Sequence, residues 1–208
     1  MKAPPSYPRI PLLADDPRRF LGSPCDVEEK LDGANVAVWM NKGRLEVMSR
    51  GGLESMDRAG QLGRLRAWVG DHDVQLRRLC GEGTAVYGEW LWVRHGVPYD
   101  CLPDWLIVLD LWSTNSAFAS VTERDERAAA CGFTTPPTIG RHVTVESLSH
   151  AVRLIPAARW GQTQAEGVIF RRSDGQRCKV VRPDFIQRSN DSWRNQTIHN
   201  SLCGGRKT

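Results

Sequence analysis

The run NVAVWMNKGRLEVMSR, residues 35–50, narrows the fold more than any other stretch of the chain. Apolar and polar residues alternate on both sides of Asn41-Lys42-Gly43, with Val36, Val38 and Met40 answered by Leu45 and Val47. A period of two buries one face of a strand, and a short glycine-containing turn between two such runs predicts a β-hairpin. TAVYGEWLWV (84–93) and WLIVLDLW (105–112) are short, β-rich and bounded by Gly or Pro, so they read as largely buried strands. EGVIFRR and RCKVVR (166–172 and 177–182) flank Ser173-Asp174-Gly175-Gln176, a second predicted hairpin.

Helical signals are fewer. From Gly60 to Leu79 apolar residues recur at three- and four-residue steps, with an interruption near Gly70, which predicts one broken helix or two short ones. VTERDERAAACG (121–132) has Thr122 three residues before Asp125, then good helix formers, then Gly132, and so carries a start and a stop signal. A further helix is predicted in TVESLSHAVRLI (144–155), and the chain after Asn190 is polar and aperiodic. No repeat, low-complexity tract or Gly/Ser linker divides the 208 residues. The expectation is one α+β domain over residues 1–190, dominated by antiparallel strands, and a polar tail over 191–208 with no separate nucleic-acid-binding domain.

Composition excludes little. With 40% hydrophobic and 25% charged residues the chain has the make-up of an ordinary globular protein, and its formal net charge of +4 permits a nucleic-acid partner without requiring one. Cys25, Cys80, Cys101, Cys131, Cys178 and Cys203 form no C-x-x-C pair, so neither a zinc site nor a disulfide framework is indicated, and buried reduced thiols are expected. No apolar run approaches the ~20 residues needed to span a bilayer, and MKAPPSYPRIPLL is too rich in proline for a signal peptide. The expected setting is cytoplasmic, with no membrane partner.

VEEKLDGANVAV (27–38) places Lys30 among Glu28, Glu29 and Asp32, beside Gly33 and at the mouth of a strand. A lysine, unlike an arginine, can shed its proton and become a nucleophile. At an ordinary pKa of ~10.4 only about one molecule in 2,500 carries the free amine at pH 7. Chemistry therefore requires a depression of ~3 units, about 4 kcal/mol, from burial and converging cations or a divalent metal. Arg50, Lys179 and Arg182, each at a predicted strand end, are the cations on offer. Asp32, Glu89, Asp110 and Glu166 lie within or just before apolar strands, where a carboxylate needs a metal, a hydroxyl or a basic partner. Any one of them alone reads as a strand-end charge in a salt bridge.

Taken in order, EKLDGAN, SR, YGEW, VLD, EGVIFR and KVVR resemble the six nucleotidyltransferase motifs of the covalent ligases and capping enzymes. Asn35, where DNA ligases and capping enzymes usually have arginine, makes the set most similar to the phage RNA ligase 2 and RNA-editing ligase family, as does GEWLWVRHGVPYD. The resemblance covers roughly residues 25–187. It implies antiparallel sheets with flanking helices around a nucleotide pocket, and an ATP-dependent RNA ligase that joins 3′-hydroxyl to 5′-phosphate ends through lysyl-AMP on Lys30. It further implies nucleotide contacts by Glu29, Asn35, Arg50, Glu89, Leu109, Glu166, Lys179 and Arg182, and a Mg²⁺ or Mn²⁺ ion held, through water, by Asp32, Glu89 and Glu166. The partners it implies are RNA ends, as in a nicked duplex, and a protein supplying further grip on the nucleic acid, because ligases of this kind usually append another domain.

Two positions depart from the pattern. Val181 stands where the last motif often has a second lysine, with Arg182 following, and Leu109 stands near the place of a base-stacking aromatic. His95, Arg171 and Arg172 are candidates for the RNA end. For His95 and Tyr99, hydrogen bonds that fix their loop are an equal reading, and Arg171 and Arg172 also read as solvated hairpin charges. Trp39, Trp68 and Trp112 read as core, and Trp193 as the tryptophan to test for base stacking. The competing functions are a DNA ligase or GTP-using capping enzyme of the same fold, and a non-catalytic nucleic-acid-binding module.

Overall fold

The computed structural model describes residues 2–50, 61–115, 117–188 and 198–204, without the side chains of 61, 62 and 186–188. Trp193 lies outside them. The chain divides into two compact units, one of Met1–Pro8, Gly33–Trp92 and Asp104–Thr135, the other of Arg9–Asp32, Val93–Pro103 and Pro136–Thr208. The nucleotidyltransferase region expected over 1–190 contributes to both.

The first unit holds the predicted hairpin as β2 (Ala34–Asn41) and β3 (Arg44–Ser49), with Asn41 opposite Arg44. Its two-residue turn needs left-handed backbone twice, at Lys42 (φ 47°) and Gly43 (φ 77°), as the favoured hairpin turns do. β4 (Thr84–Trp90) and β5 (Leu106–Ser113) complete an antiparallel sheet of order β3-β2-β4-β5. The predicted helical stretch is two short helices, α1 (Gln61–Asp71) and α2 (Asp73–Cys80). The break falls at His72, near Gly70 as expected, and the His72 Nδ1 lies 2.8 Å from the Trp68 carbonyl oxygen. Val36, Val38, Val86 and Trp90 face a core that includes Leu65, Trp68, Leu76 and Leu79. Trp39 is also buried, whereas Trp112 is only half-buried. In α3 (Val121–Ala130) the cap is Ser120, whose Oγ accepts the Glu123 N–H at 3.1 Å, and not the predicted Thr122.

The second unit is built on β1 (Pro24–Lys30), β6 (Thr138–Thr144), β7 (Gly167–Arg171) and β8 (Arg177–Val181), in the antiparallel order β6-β1-β7-β8. Lys30 therefore closes a strand rather than standing at the mouth of one. β6 left no signal in the sequence because this edge strand is exposed or half-buried throughout and has no apolar stripe. It claims Thr144, so the helix predicted from there shrinks to α4 (Leu148–Arg153), capped by Ser147. α5 (Pro183–Arg188) follows β8.

Residues 198–203 are bonded to the 93–102 loop, and a disulfide there corrects the expectation of six reduced thiols. Cys101 and Cys203 are disulfide-paired, with Cα atoms 4.2 Å apart across 102 residues of sequence, a proximity that cysteine spacing could not reveal. The other four are free, and burial pushes the Cys80 and Cys178 thiols up to about 12. Among the described residues, no helix is long and apolar enough to cross a membrane.

Candidate active site

In the second unit, Lys30 ends β1 opposite Gly167, the first residue of β7, so Glu166 arrives beside it. Lys30 Nζ donates to Glu166 Oε2, with the two side chains only 21% and 11% exposed. Burial pushes the Glu166 carboxyl up, while Lys30 and, more weakly, Lys179 pull it back. Lys179 sits on β8 opposite Ile169, on the same face of the sheet as Lys30. Arg182 donates its backbone N–H to the Glu166 carbonyl at 3.0 Å, and its guanidinium lies 3.4 Å from Asp184.

Asp32 closes this cluster. Its Oδ2 accepts the backbone N–H groups of Gly96 (2.6 Å) and Val97 (2.7 Å), and its own N–H donates to the Tyr99 hydroxyl at 3.0 Å. His95 Nδ1 is 4.0 Å from Asp32 Oδ1, and burial lowers the pKa of this imidazole, with Lys30 adding to the effect. Glu29, next to Lys30, is buried with Oε2 accepting the Arg159 N–H at 3.0 Å and Oε1 without a hydrogen-bond partner. Its carboxyl is pushed up to about 7, chiefly by burial.

The other expected nucleotide contacts, Asn35, Arg50, Glu89 and Leu109, belong to the first unit. Asn35 and Glu89 are opposite one another across β2 and β4, on the face away from Val36, Val38 and Trp90. Glu89 Oε1 accepts the Gly33 N–H at 3.0 Å, and a Cβ at Gly33 would meet the Trp90 carbonyl oxygen at 2.6 Å, so only glycine allows this approach. Arg50 donates its N–H to the Asn35 carbonyl at 3.2 Å and leaves its side chain exposed. Leu109 lies where a register shift in β4–β5 lets Asp110 face Tyr87, and it is half-buried. Asp110 accepts a hydrogen bond from Tyr7, a structural partner.

The structure thus brings Lys30, Asp32, His95, Glu166, Lys179 and Arg182 together in one unit and Asn35, Arg50, Glu89 and Leu109 in the other. Arg171 stands apart from the predicted RNA-end role: it is 6% exposed and held by Glu28, with Nε 2.6 Å from Oε2. A guanidinium so enclosed is part of the sheet's interior. Arg172 is half-buried, bonded to the Arg19 carbonyl and paired with Asp174 at 3.2 Å. Sequence reasoning missed Arg159 and Asn200 as partners of site residues, since their contacts with Glu29 and Tyr99 span about a hundred residues or more. Among the described residues no group of three or more His, Cys, Asp or Glu is gathered to hold a metal outright.

Comparison with known proteins adds the following. The RNA ligase family model matches residues 24–183. Among curated proteins none matches at a significant level. Solved structures of Naegleria gruberi RNA ligase are similar in fold. A lysine-to-alanine variant with ATP and manganese superposes at a TM-score of 0.70 with 14% identity, covering 88% of this chain and 57% of that one. The ligase with pyrophosphate gives 0.68 and 14%, over 89% and 58%, and a glutamate-to-alanine variant with AMP and manganese gives 0.64 and 12%, over 88% and 57%. The chain spans a little under three-fifths of the length of these ligases. The match over residues 24–183, more than half of the sequence, establishes that this chain belongs to the RNA ligase family.

Proposed function

We propose that this chain carries out ATP-dependent RNA ligation, or the nucleotidyl-transfer part of it, with Lys30 as the nucleophile. The observation that carries this reading is the Lys30–Glu166 pair at adjoining ends of β1 and β7. A lysine attacks phosphorus only as the free amine, so its proton needs an acceptor. Glu166 is that acceptor, because burial raises its basicity while contact with Lys30 keeps it within reach. Lys30 passes one Nζ proton to Glu166, the free amine forms the bond to the α-phosphorus of ATP, and pyrophosphate leaves with the bonding pair and takes up the second Nζ proton released as the phosphoramidate forms. Lys179 neutralises phosphate charge, and Arg182 contributes positive charge without proton transfer. In the first unit, the resemblance makes Arg50 and Glu89 ribose contacts and Asn35 a nucleotide contact. AMP then passes to a 5′-phosphate end, and a 3′-hydroxyl displaces it.

Glu29 supports adenine as the base. Its buried, unpartnered Oε1 accepts a hydrogen bond, which the exocyclic amine of adenine supplies and the carbonyl at the same position of guanine does not. Two carboxylates beside substrate phosphates suit a small hard cation that keeps most of its waters. Glu166 and Asp32 Oδ1 are the groups to hold Mg²⁺ or Mn²⁺, whose charge stabilises the phosphates when bound. Glu89, also expected at the metal, has its Oε1 committed to the Gly33 N–H. A nicked duplex, a protein partner for further grip and a cytoplasmic setting complete the reading.

Mass spectrometry of the protein after incubation with ATP and Mg²⁺ tests it. One covalent AMP is expected on the native chain and none on Lys30→Ala, which melts cooperatively. Labelling by GTP alone, or AMP retained on Lys30→Ala, would overturn the assignment.

A further inference from the structure

Lys30 is the last residue of β1, and what fixes a side chain at a strand end is whatever fixes the residues that follow. Leu31 is buried, and Asp32 is clamped by three hydrogen bonds to a single loop, from the Gly96 and Val97 N–H groups and to the Tyr99 hydroxyl. Tyr99 is 2% exposed, so its hydroxyl meets the Asp32 N–H in an enclosed place.

The loop is itself held from the far end of the chain. The Tyr99 N–H donates to Oδ1 of Asn200 at 2.9 Å, and the Ser201 N–H donates to the Tyr99 carbonyl at 3.0 Å. Around them run Arg94 N–H to Ile198 O (3.0 Å), Leu102 N–H to Ser201 O (2.9 Å) and Cys203 N–H to Leu102 O (2.9 Å), closed by the Cys101–Cys203 pair. A short strap, residues 198–203, thus lies along the loop that grips Asp32. Asn200 is only 6% exposed, so the Tyr99 N–H depends on its side-chain oxygen and not on water.

We propose that Tyr99 and Asn200 are positioning residues for Lys30, and that residues 198–203 form a strap transmitting this hold from the C-terminal segment to the nucleophile. The inference rests on the reading of Lys30 as the adenylated residue. Displacing a nucleophile by about 1 Å is enough to cost on the order of a hundredfold in rate while binding is retained.

The test combines a kinetic and a non-kinetic readout on the full chain. Tyr99→Phe removes one oxygen atom, and Asn200→Ala removes the acceptor more than a hundred positions away in sequence. Each is expected to slow lysyl-AMP formation at saturating ATP by about 10- to 100-fold with KM for ATP within about twofold of the native value. Asn200→Asp keeps the acceptor and is expected to recover most of the rate. Amide hydrogen exchange in residues 29–33 is expected to quicken in Tyr99→Phe and Asn200→Ala alike. If Tyr99→Phe does not fold, the Asn200 pair decides. Unchanged exchange at 29–33 overturns the strap whatever the activity, and a loss carried by KM overturns the positioning role. Absence of AMP from the native chain instead overturns the nucleophile assignment, and with it the role in catalysis.

Discussion

Glu29 shows at the scale of one residue how burial sets chemistry. An unfolded chain titrates this carboxyl near 4.5, and the folded one near about 7. Between those values the folded state binds more protons, so rising pH removes stability through this window and the loss is complete above it. Glu29→Gln removes the titration, and is expected to stabilise the protein by roughly 2–3 kcal/mol at pH 8 and hardly at all at pH 4. Thermal melts of both proteins at the two pH values check this, and coincident melts at pH 8 would refute it. Lys30 was legible as a motif lysine through the six ordered motifs that carry the family resemblance, not through its neighbours alone. Its immediate partner was not, since Glu166 reaches it only through the pairing of β1 with β7.

At the scale of elements, β1 and β7 share a buried ion pair, Glu28 with Arg171, on the diagonal of one sheet face. Removing one partner strands a charge in the interior, whereas replacing both with apolar side chains removes the desolvation cost as well. Glu28→Ala is expected to lose about 3–5 kcal/mol, and Glu28→Leu with Arg171→Met to lie within about 2 kcal/mol of the native protein. Urea unfolding separates the two cases, and equal losses would mean that packing, not charge, governs the site. The hairpins of β2–β3 and β7–β8 were readable because alternation and turn chemistry agree there. β1 and β6 were not: β1 carries charges at buried positions, and β6 buries almost nothing.

Across the whole molecule charge is divided unevenly. The second unit has 17 basic against 12 acidic residues, and the first 11 against 12. Arg18, Arg19, Arg141, Arg153 and Arg159, all in the second unit, are exposed, where salt screens them, while the Lys30–Glu166 pair is largely enclosed. Strand joining is therefore expected to fall steeply between low and moderate salt, with a slope set by the phosphates contacted, and lysyl-AMP formation to change little. Parallel titrations of the two steps measure it. Joining that resists salt as well as adenylation does would show that exposed arginines are not the grip.

The sequence alone determined the α+β class and both central hairpins, because alternation and turn residues are local, and its ordered motifs carried the family resemblance from which the role proposed for Lys30 was read. Tertiary structure decided the rest. It paired Lys30 with Glu166, buried Arg171 against Glu28, and gave Asp32 a loop to anchor. It also brought Asn200 and Cys203 back to that loop. The reason is physical: such contacts join residues that are 64 or more positions apart, and their partners are set by strand register and chain return, which no local pattern of residues records.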